Sequence, residues 1–195
     1  MDSINHSRVS LAILTGGRST RFDAKKCDAL LRGKSLARHV YDAATPLVDE
    51  VLISTGAGSP ISDLPSGREL QDERMDAGPL SGILTCLKAT LKTTPNPWLL
   101  VIACDLPLIS TQTLERLIAH CRSPNEVVLC QTEDGQAQPL CACYNVNLIE
   151  ALGSAIRDER FGVQRFVGTL KHVTRIDVPA AELMNFNTIE ELRRS

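Results

Sequence analysis

Apolar runs that stop at glycine or aspartate alternate along this chain with segments whose apolar residues recur at helical spacing. Val9-Ser10-Leu11-Ala12-Ile13-Leu14 runs up to Gly16-Gly17 and predicts a strand buried on both faces, as parallel sheets require. From Ser35 to about residue 47, Leu36, Val40, Ala43, Ala44 and Leu47 fall at helical spacing, and Val51-Leu52-Ile53 then resumes a strand. This is one βαβ unit. Residues 56–67 are rich in Gly, Ser and Pro and read as a loop, with a short strand expected around Arg68-Glu69-Leu70. Gly78-Pro79 places a proline where a helix would begin, and Leu80, Ile83, Leu84, Leu87 and Leu91 form its stripe.

Trp98-Leu99-Leu100-Val101-Ile102-Ala103-Cys104 is the clearest strand, ending at Asp105 with Pro107 unable to extend the ladder. Leu114, Leu117, Ile118 and Cys121 mark another amphipathic helix. Val127–Cys130 and Leu140–Tyr144 predict strands around the turn Glu133-Asp134-Gly135-Gln136. Helices are expected at about 146–157 and 162–170, a strand near 172–176 and a terminal helix from Thr188. Strands alternating with helices predict an α/β fold: a mostly parallel sheet with helices on both faces and some antiparallel addition.

The length of 195 residues suits one well-packed domain, with a core from about 8 to 192. A net charge of −2 and 4% aromatic residues supply neither the basic footprint nor the stacking platform that nucleic acid requires. No apolar run approaches the roughly 18 residues of a membrane span, and the first residues have no signal-peptide pattern, so a cytoplasmic protein is expected. Seven cysteines, without a C-x-x-C pair, predict reduced and mostly buried thiols rather than a disulfide framework or a zinc site.

In open α/β sheets ligands bind beyond the carboxyl ends of the strands. That rule selects three places: Thr15-Gly16-Gly17-Arg18-Ser19-Thr20-Arg21, Asp72 and Asp105. The adjacent glycines allow backbone N–H groups to approach an anion closely, and Arg18, Arg21, Lys25 and Lys26 supply positive charge. The loop matches neither the P-loop nor the G-x-G-x-x-G pattern; a solvated β–α turn is the bland alternative. Asp105 ends an apolar strand, where a carboxylate needs solvent or a cation, and Mg²⁺ is a natural partner alongside substrate phosphates. A helix-capping or turn aspartate before Pro107 is the alternative.

The run Leu14-Thr15-Gly16-Gly17-Arg18-Ser19-Thr20-Arg21-Phe22, with Lys26, Ala29-Leu30-Leu31 and Gly33-Lys34-Ser35-Leu36, resembles the L-A-G-G-x-S-x-R-M-G-x-D-K-A-L-L…G-x-P-L signature of molybdenum cofactor guanylyltransferases and their nucleotidyltransferase relatives. Asp72 with Gly78-Pro79-Leu80-Ser81-Gly82-Ile83 is similar to the family's D…G-P-L-A-G-I, and Cys104-Asp105-Leu106-Pro107 to its C-D-x-P. Gln138-Pro139-Leu140 resembles an H-P-L stretch, and Asn185-Phe186-Asn187-Thr188-Ile189-Glu190-Glu191-Leu192 resembles N-x-N-T-P-E-D-L. The likeness runs from about residue 9 to 192. Departures are Phe22-Asp23 for Met-Gly, Lys25-Lys26 for Asp-Lys, Ser54-Thr55-Gly56 for an asparagine after the second strand, and Gln138 for histidine.

The resemblance implies a three-layer Rossmann-like fold of the nucleotide-diphospho-sugar transferase type. It implies that Leu14, Thr15, Gly16, Gly17, Arg18, Ser19, Lys26, Asp72, Gly78, Pro79 and Leu80 contact a nucleoside triphosphate, that Asp105 binds Mg²⁺, and that Gln138, Asn185 and Asn187 lie toward the pterin. Arg21, Lys26 and Asp105 are the expected catalytic set, with Lys26 preferred to Lys25 because it sits closer to Ala29-Leu30-Leu31. The expected reaction is transfer of GMP from GTP to molybdopterin, with transient contact to molybdoenzymes or other cofactor-biosynthesis proteins. The alternatives are a CTP-using or other small-molecule nucleotidyltransferase of the same fold and a non-catalytic nucleotide-binding homologue.

Overall fold

A computed structural model describes residues 9–15, 26–55, 63–74, 77–93, 98–186 and 191. In chain order its strands and helices are β1 (Val9–Leu14), β2 (Leu30–Leu31), β3 (Lys34–Ser35), α1 (Leu36–Ala44), β4 (Glu50–Ser54), β5 (Arg68–Leu70), α2 (Pro79–Thr93) and β6 (Trp98–Ala103). There follow α3 (Thr111–Ala119), β7 (Val127–Thr132), β8 (Ala137–Asn145), α4 (Ile149–Arg157), α5 (Val163–Val167) and β9 (Val173–Val178). Seven strands form one sheet in the order β5-β4-β1-β6-β8-β7-β9, while β2 and β3 make a small separate hairpin.

All pairings in the large sheet are parallel except those made by β8, which runs antiparallel to both β6 and β7. The antiparallel addition expected from the sequence is therefore an interior strand. Alternate residues of the central strands face opposite layers. Leu11, Ile13, Leu100 and Ile102 pack with Val40 of α1 and Leu114 and Leu117 of α3. Ala12, Leu14, Leu99 and Val101 pack with Leu80, Leu84 and Leu87 of α2 and Leu152 of α4. Two buried faces are why β1 and β6 read as nearly continuous apolar runs. Leu100→Ala, at a residue with 0% exposure, is expected to cost about 2–5 kcal/mol, measured as a lower urea midpoint.

Serine hydroxyls start two of the helices. Ser35 accepts from the N–H of Arg38 at 3.0 Å and Ser110 from that of Thr113 at 3.2 Å, each satisfying a donor that helical geometry leaves open. Glu182 adds a carboxylate at the start of α3, accepting from the N–H and Oγ of Ser110.

Several boundaries differ from expectation. The helix expected at 162–170 is one short turn, Val163–Val167, between Gly162 and Gly168, and the last strand extends two residues beyond 176. The helix expected from 146 opens with a tighter turn over Val146–Leu148. The terminal helix expected from Thr188 lies outside the described residues apart from Glu191, which is helical. All seven cysteines are buried thiols outside any disulfide, as expected.

Candidate active site at the carboxyl edge of the sheet

The chain leaves β1 on one side, through β4 and β5, and returns to place β6 on the other. Between β1 and β6 the direction of winding reverses, which in open α/β sheets is the place beyond the strand ends where ligands bind. Leu14 is level with Ser54 of β4 and with Ala103 of β6, so the three strands end together. Thr15 follows directly, tied to the carbonyl of Ser54 through its N–H at 3.0 Å and its Oγ1 at 2.8 Å. Gly16, Gly17, Arg18, Ser19 and Arg21 lie outside the described residues, as does Lys25.

On the β6 side, Nζ of Lys26 lies 2.5 Å from Oδ2 of Asp105, with side chains 17% and 20% exposed. A pair this enclosed attracts more strongly than a surface pair, yet a ligand can still reach it. Lys26 is carried on a short turn, Lys26–Asp28, whose Cys27 is buried in the core and whose carbonyl at Lys26 accepts from Ala29. The carbonyl of Ala29 accepts from Leu36 at 2.9 Å, locking the turn to the start of α1. Beneath Asp105, the Cys104 thiol is pushed far up by its hydrogen bond with Cys27 and by burial. It stays protonated and is no nucleophile at neutral pH.

Oδ1 of Asp105 is buried without a hydrogen-bond partner among the described residues. An orphaned carboxylate oxygen at the carboxyl edge of the sheet fits a hard cation, which prefers oxygen ligands. No group of three His, Cys, Asp or Glu side chains among the described residues forms a metal cage. Mg²⁺ suits such a place better than zinc, since it needs only one or two carboxylates and takes its other ligands from phosphates and water.

On the β4 side, Asp72 follows β5 and accepts from Oγ of Ser54 at 2.5 Å. Burial pushes its carboxyl above the ordinary carboxylate range, and the Ser54 hydroxyl draws it part of the way back. The next residues are laid along α2: the N–H of Glu73 reaches Oγ1 of Thr85 at 3.2 Å and that of Arg74 reaches Oγ of Ser81 at 3.0 Å. Arg74 also donates to the carbonyl of Ile156 and covers the ring of Phe161, 5.1 Å from its centroid. Asp72 is therefore mounted on a segment braced by two helices.

Gly78, at a φ of +59°, turns the chain into Pro79 at the start of α2. Gly82 brings the backbone of that helix against β4, where an added Cβ would lie 2.5 Å from Oγ of Ser54 and 3.2 Å from Leu14. Gly82→Ala is expected to force Ser54 aside and cost about 1–3 kcal/mol, read as a lowered unfolding temperature. Leu14 and Leu80 are buried, so only their backbone groups can face a ligand.

The antiparallel course of β8 carries its first residues to the same edge, because Cys141 is level with Ile102 near the end of β6. Gln138 is half-buried there, opposite Cys130 at a shift of register. Asn185 is exposed next to Phe186, whose N–H donates to the carbonyl of Asp105 at 3.1 Å. Asn187 lies outside the described residues. The structure thus sets Thr15 and Asp72 on Ser54 at the β4 side and Lys26 on Asp105 at the β6 side, with Gln138 at the same edge of the sheet and Asn185 next to the residue bonded to Asp105.

Motif comparison touched Ser54 and Gly82 but gave neither a role, because each gains its role only from what the topology sets against it.

The sequence profile of the MobA-like NTP transferase domain matches residues 11–173. A probable molybdenum cofactor guanylyltransferase of Flavobacterium johnsoniae is 28% identical over 183 residues, 92% of each chain. A molybdenum cofactor guanylyltransferase of Pseudomonas paraeruginosa is 31% identical over 151 residues, 76% of this chain and 74% of that protein. In three dimensions, the molybdopterin-guanine dinucleotide biosynthesis protein A of Archaeoglobus fulgidus superposes with a TM-score of 0.75 at 20% identity, covering 95% of both chains. That likeness places the fold among Rossmann-like nucleotidyltransferases.

Proposed function

This chain belongs to the family of MobA-like NTP transferase domains, and from that premise we propose that it is a molybdenum cofactor guanylyltransferase, moving GMP from GTP to molybdopterin. The observation that carries the reading is the Lys26–Asp105 pair, poised where β1 and β6 diverge, with a second carboxylate oxygen left over.

In the proposed reaction a terminal phosphate oxygen of molybdopterin attacks the α-phosphorus of GTP. A new P–O–P bridge forms as the bond to the β-phosphate breaks, and pyrophosphate leaves. Such transfers demand alignment and charge neutralisation rather than a protein nucleophile. The Lys26 ammonium would bind the phosphates, the loop after Thr15 would cradle them, and Asp72 with the start of α2 would hold the base. Asp105 would hold Mg²⁺, which supplies Lewis-acid neutralisation of the developing phosphate charge. Gln138 and Asn185 stand on the flank left for the pterin. The family reading implies a cytoplasmic reaction whose product would pass to molybdoenzymes; no described helix is long and apolar enough to cross a membrane.

The decisive assay measures pyrophosphate release from GTP and from CTP, with molybdopterin as acceptor, with Mg²⁺ and with chelator. Release from GTP that needs both Mg²⁺ and acceptor is expected. Preference for CTP would reassign the nucleotide, and GTP binding without release would leave a non-catalytic nucleotide-binding protein.

A further inference from the structure

Ser54 is 2% exposed and is engaged by three separate elements. Its carbonyl takes both donors of Thr15, its hydroxyl donates to Oδ1 of Asp72, and the backbone of α2 presses on it at Gly82. A hydroxyl enclosed in this way has little room to turn. Among the described residues Ser54 is the side chain bonded to Asp72, so one carboxylate oxygen is pinned and Oδ2 remains as an acceptor.

A carboxylate with one oxygen fixed presents the other along a defined direction. An ionised carboxylate has about four lone-pair sites, so with Oδ1 oriented by Ser54 the two oxygens together can still meet two adjacent N–H donors, and among nucleobases guanine carries such a pair, the ring N1–H and the 2-amino group. We infer that Ser54 is a positioning residue, aiming Asp72 at the N–H edge of a guanine base. The inference rests on the GTP reading above. Ser54 is itself too enclosed to touch the base; its effect passes through Asp72. The hydroxyl can be removed without disturbing Thr15, which is held by the backbone carbonyl of residue 54.

The test is a double-mutant cycle on the full chain: wild type, Ser54→Ala, Asp72→Asn and the double variant, assayed for GMP transfer with Mg²⁺ and molybdopterin. Ser54→Ala is expected to raise KM for GTP about tenfold, the scale of one hydrogen bond to a charged group, with kcat within about twofold. On the Asp72→Asn background the same change should alter KM less than about twofold, because the carboxylate it aims is gone. ITP, which lacks the 2-amino group, should lose less than GTP. Ser54→Cys, which fills the same space but donates weakly, should resemble Ser54→Ala. Equal losses on both backgrounds, a loss confined to kcat, or a wild-type KM in the cysteine variant would overturn the inference while leaving GTP as substrate. A wild-type protein that uses CTP and not GTP would overturn the underlying reading, and this inference with it.

Discussion

Asp105→Asn is expected to lower kcat/KM for nucleotidyl transfer by about 10³-fold, with the unfolding temperature within a few degrees of wild type. Asparagine keeps the shape of the side chain but removes the charge that a divalent ion requires. The carboxylate lies at the end of β6, past the last ladder pair, so its replacement leaves the sheet intact. Its 20% exposure leaves it reachable from solvent rather than sealed in the core. Raising Mg²⁺ should recover part of the rate, since an amide oxygen remains a weak ligand. Full activity in the variant at ordinary Mg²⁺ would remove Asp105 from the mechanism.

Lys26→Met should cost about 10²–10³-fold in kcat/KM, the range found when one preorganised donor to a charged transition state is removed. Methionine preserves the apolar stem, so the turn over Lys26–Asp28 should persist through its buried Cys27 and the bond from Ala29. The loss should fall on both KM for GTP and kcat, because phosphates carry charge in the ground state and more of it in the transition state. Lys26→Arg should restore only part, since a planar guanidinium does not fill the place of a compact ammonium 2.5 Å from a carboxylate. Steady-state kinetics of the two variants side by side would check this. A Lys26→Met enzyme within about threefold of wild type would point instead to another cation on the loop.

How much of this was legible in the sequence depends on how local each cause is. Strands β1 and β6 and the aspartate after β6 were readable because burial on both faces leaves a long apolar run whose end is conspicuous. Helices α1 and α2 declared themselves through Ser35, Pro79 and their stripes. The hairpin of β2 and β3 passed unnoticed because each strand has two residues, too few for any period. The seat of β8 between β6 and β7 is a fact of topology: its residues Leu140–Tyr144 read as a strand, but nothing in them names both neighbours. Lys26 was singled out over Lys25 by its closeness to Ala29, and the structure sets it on Asp105, 79 residues away. The bond from Ser54 to Asp72 and the approach of Gly82 depend on the stacking of α2 over β4, which a linear pattern does not encode.

The late arrival of β8 bears on how the polypeptide is made. As the ribosome releases β1, β4, β5 and β6, the outer ladder of β6 has no neighbour, because its partner begins at Ala137 and follows β7 in the chain. Until then the six-residue apolar edge of β6 stands open, the kind of surface that recruits stray strands from other nascent chains. The half of the molecule that would grip the nucleotide is thus born sticky, and is sealed only when the hairpin closes over it.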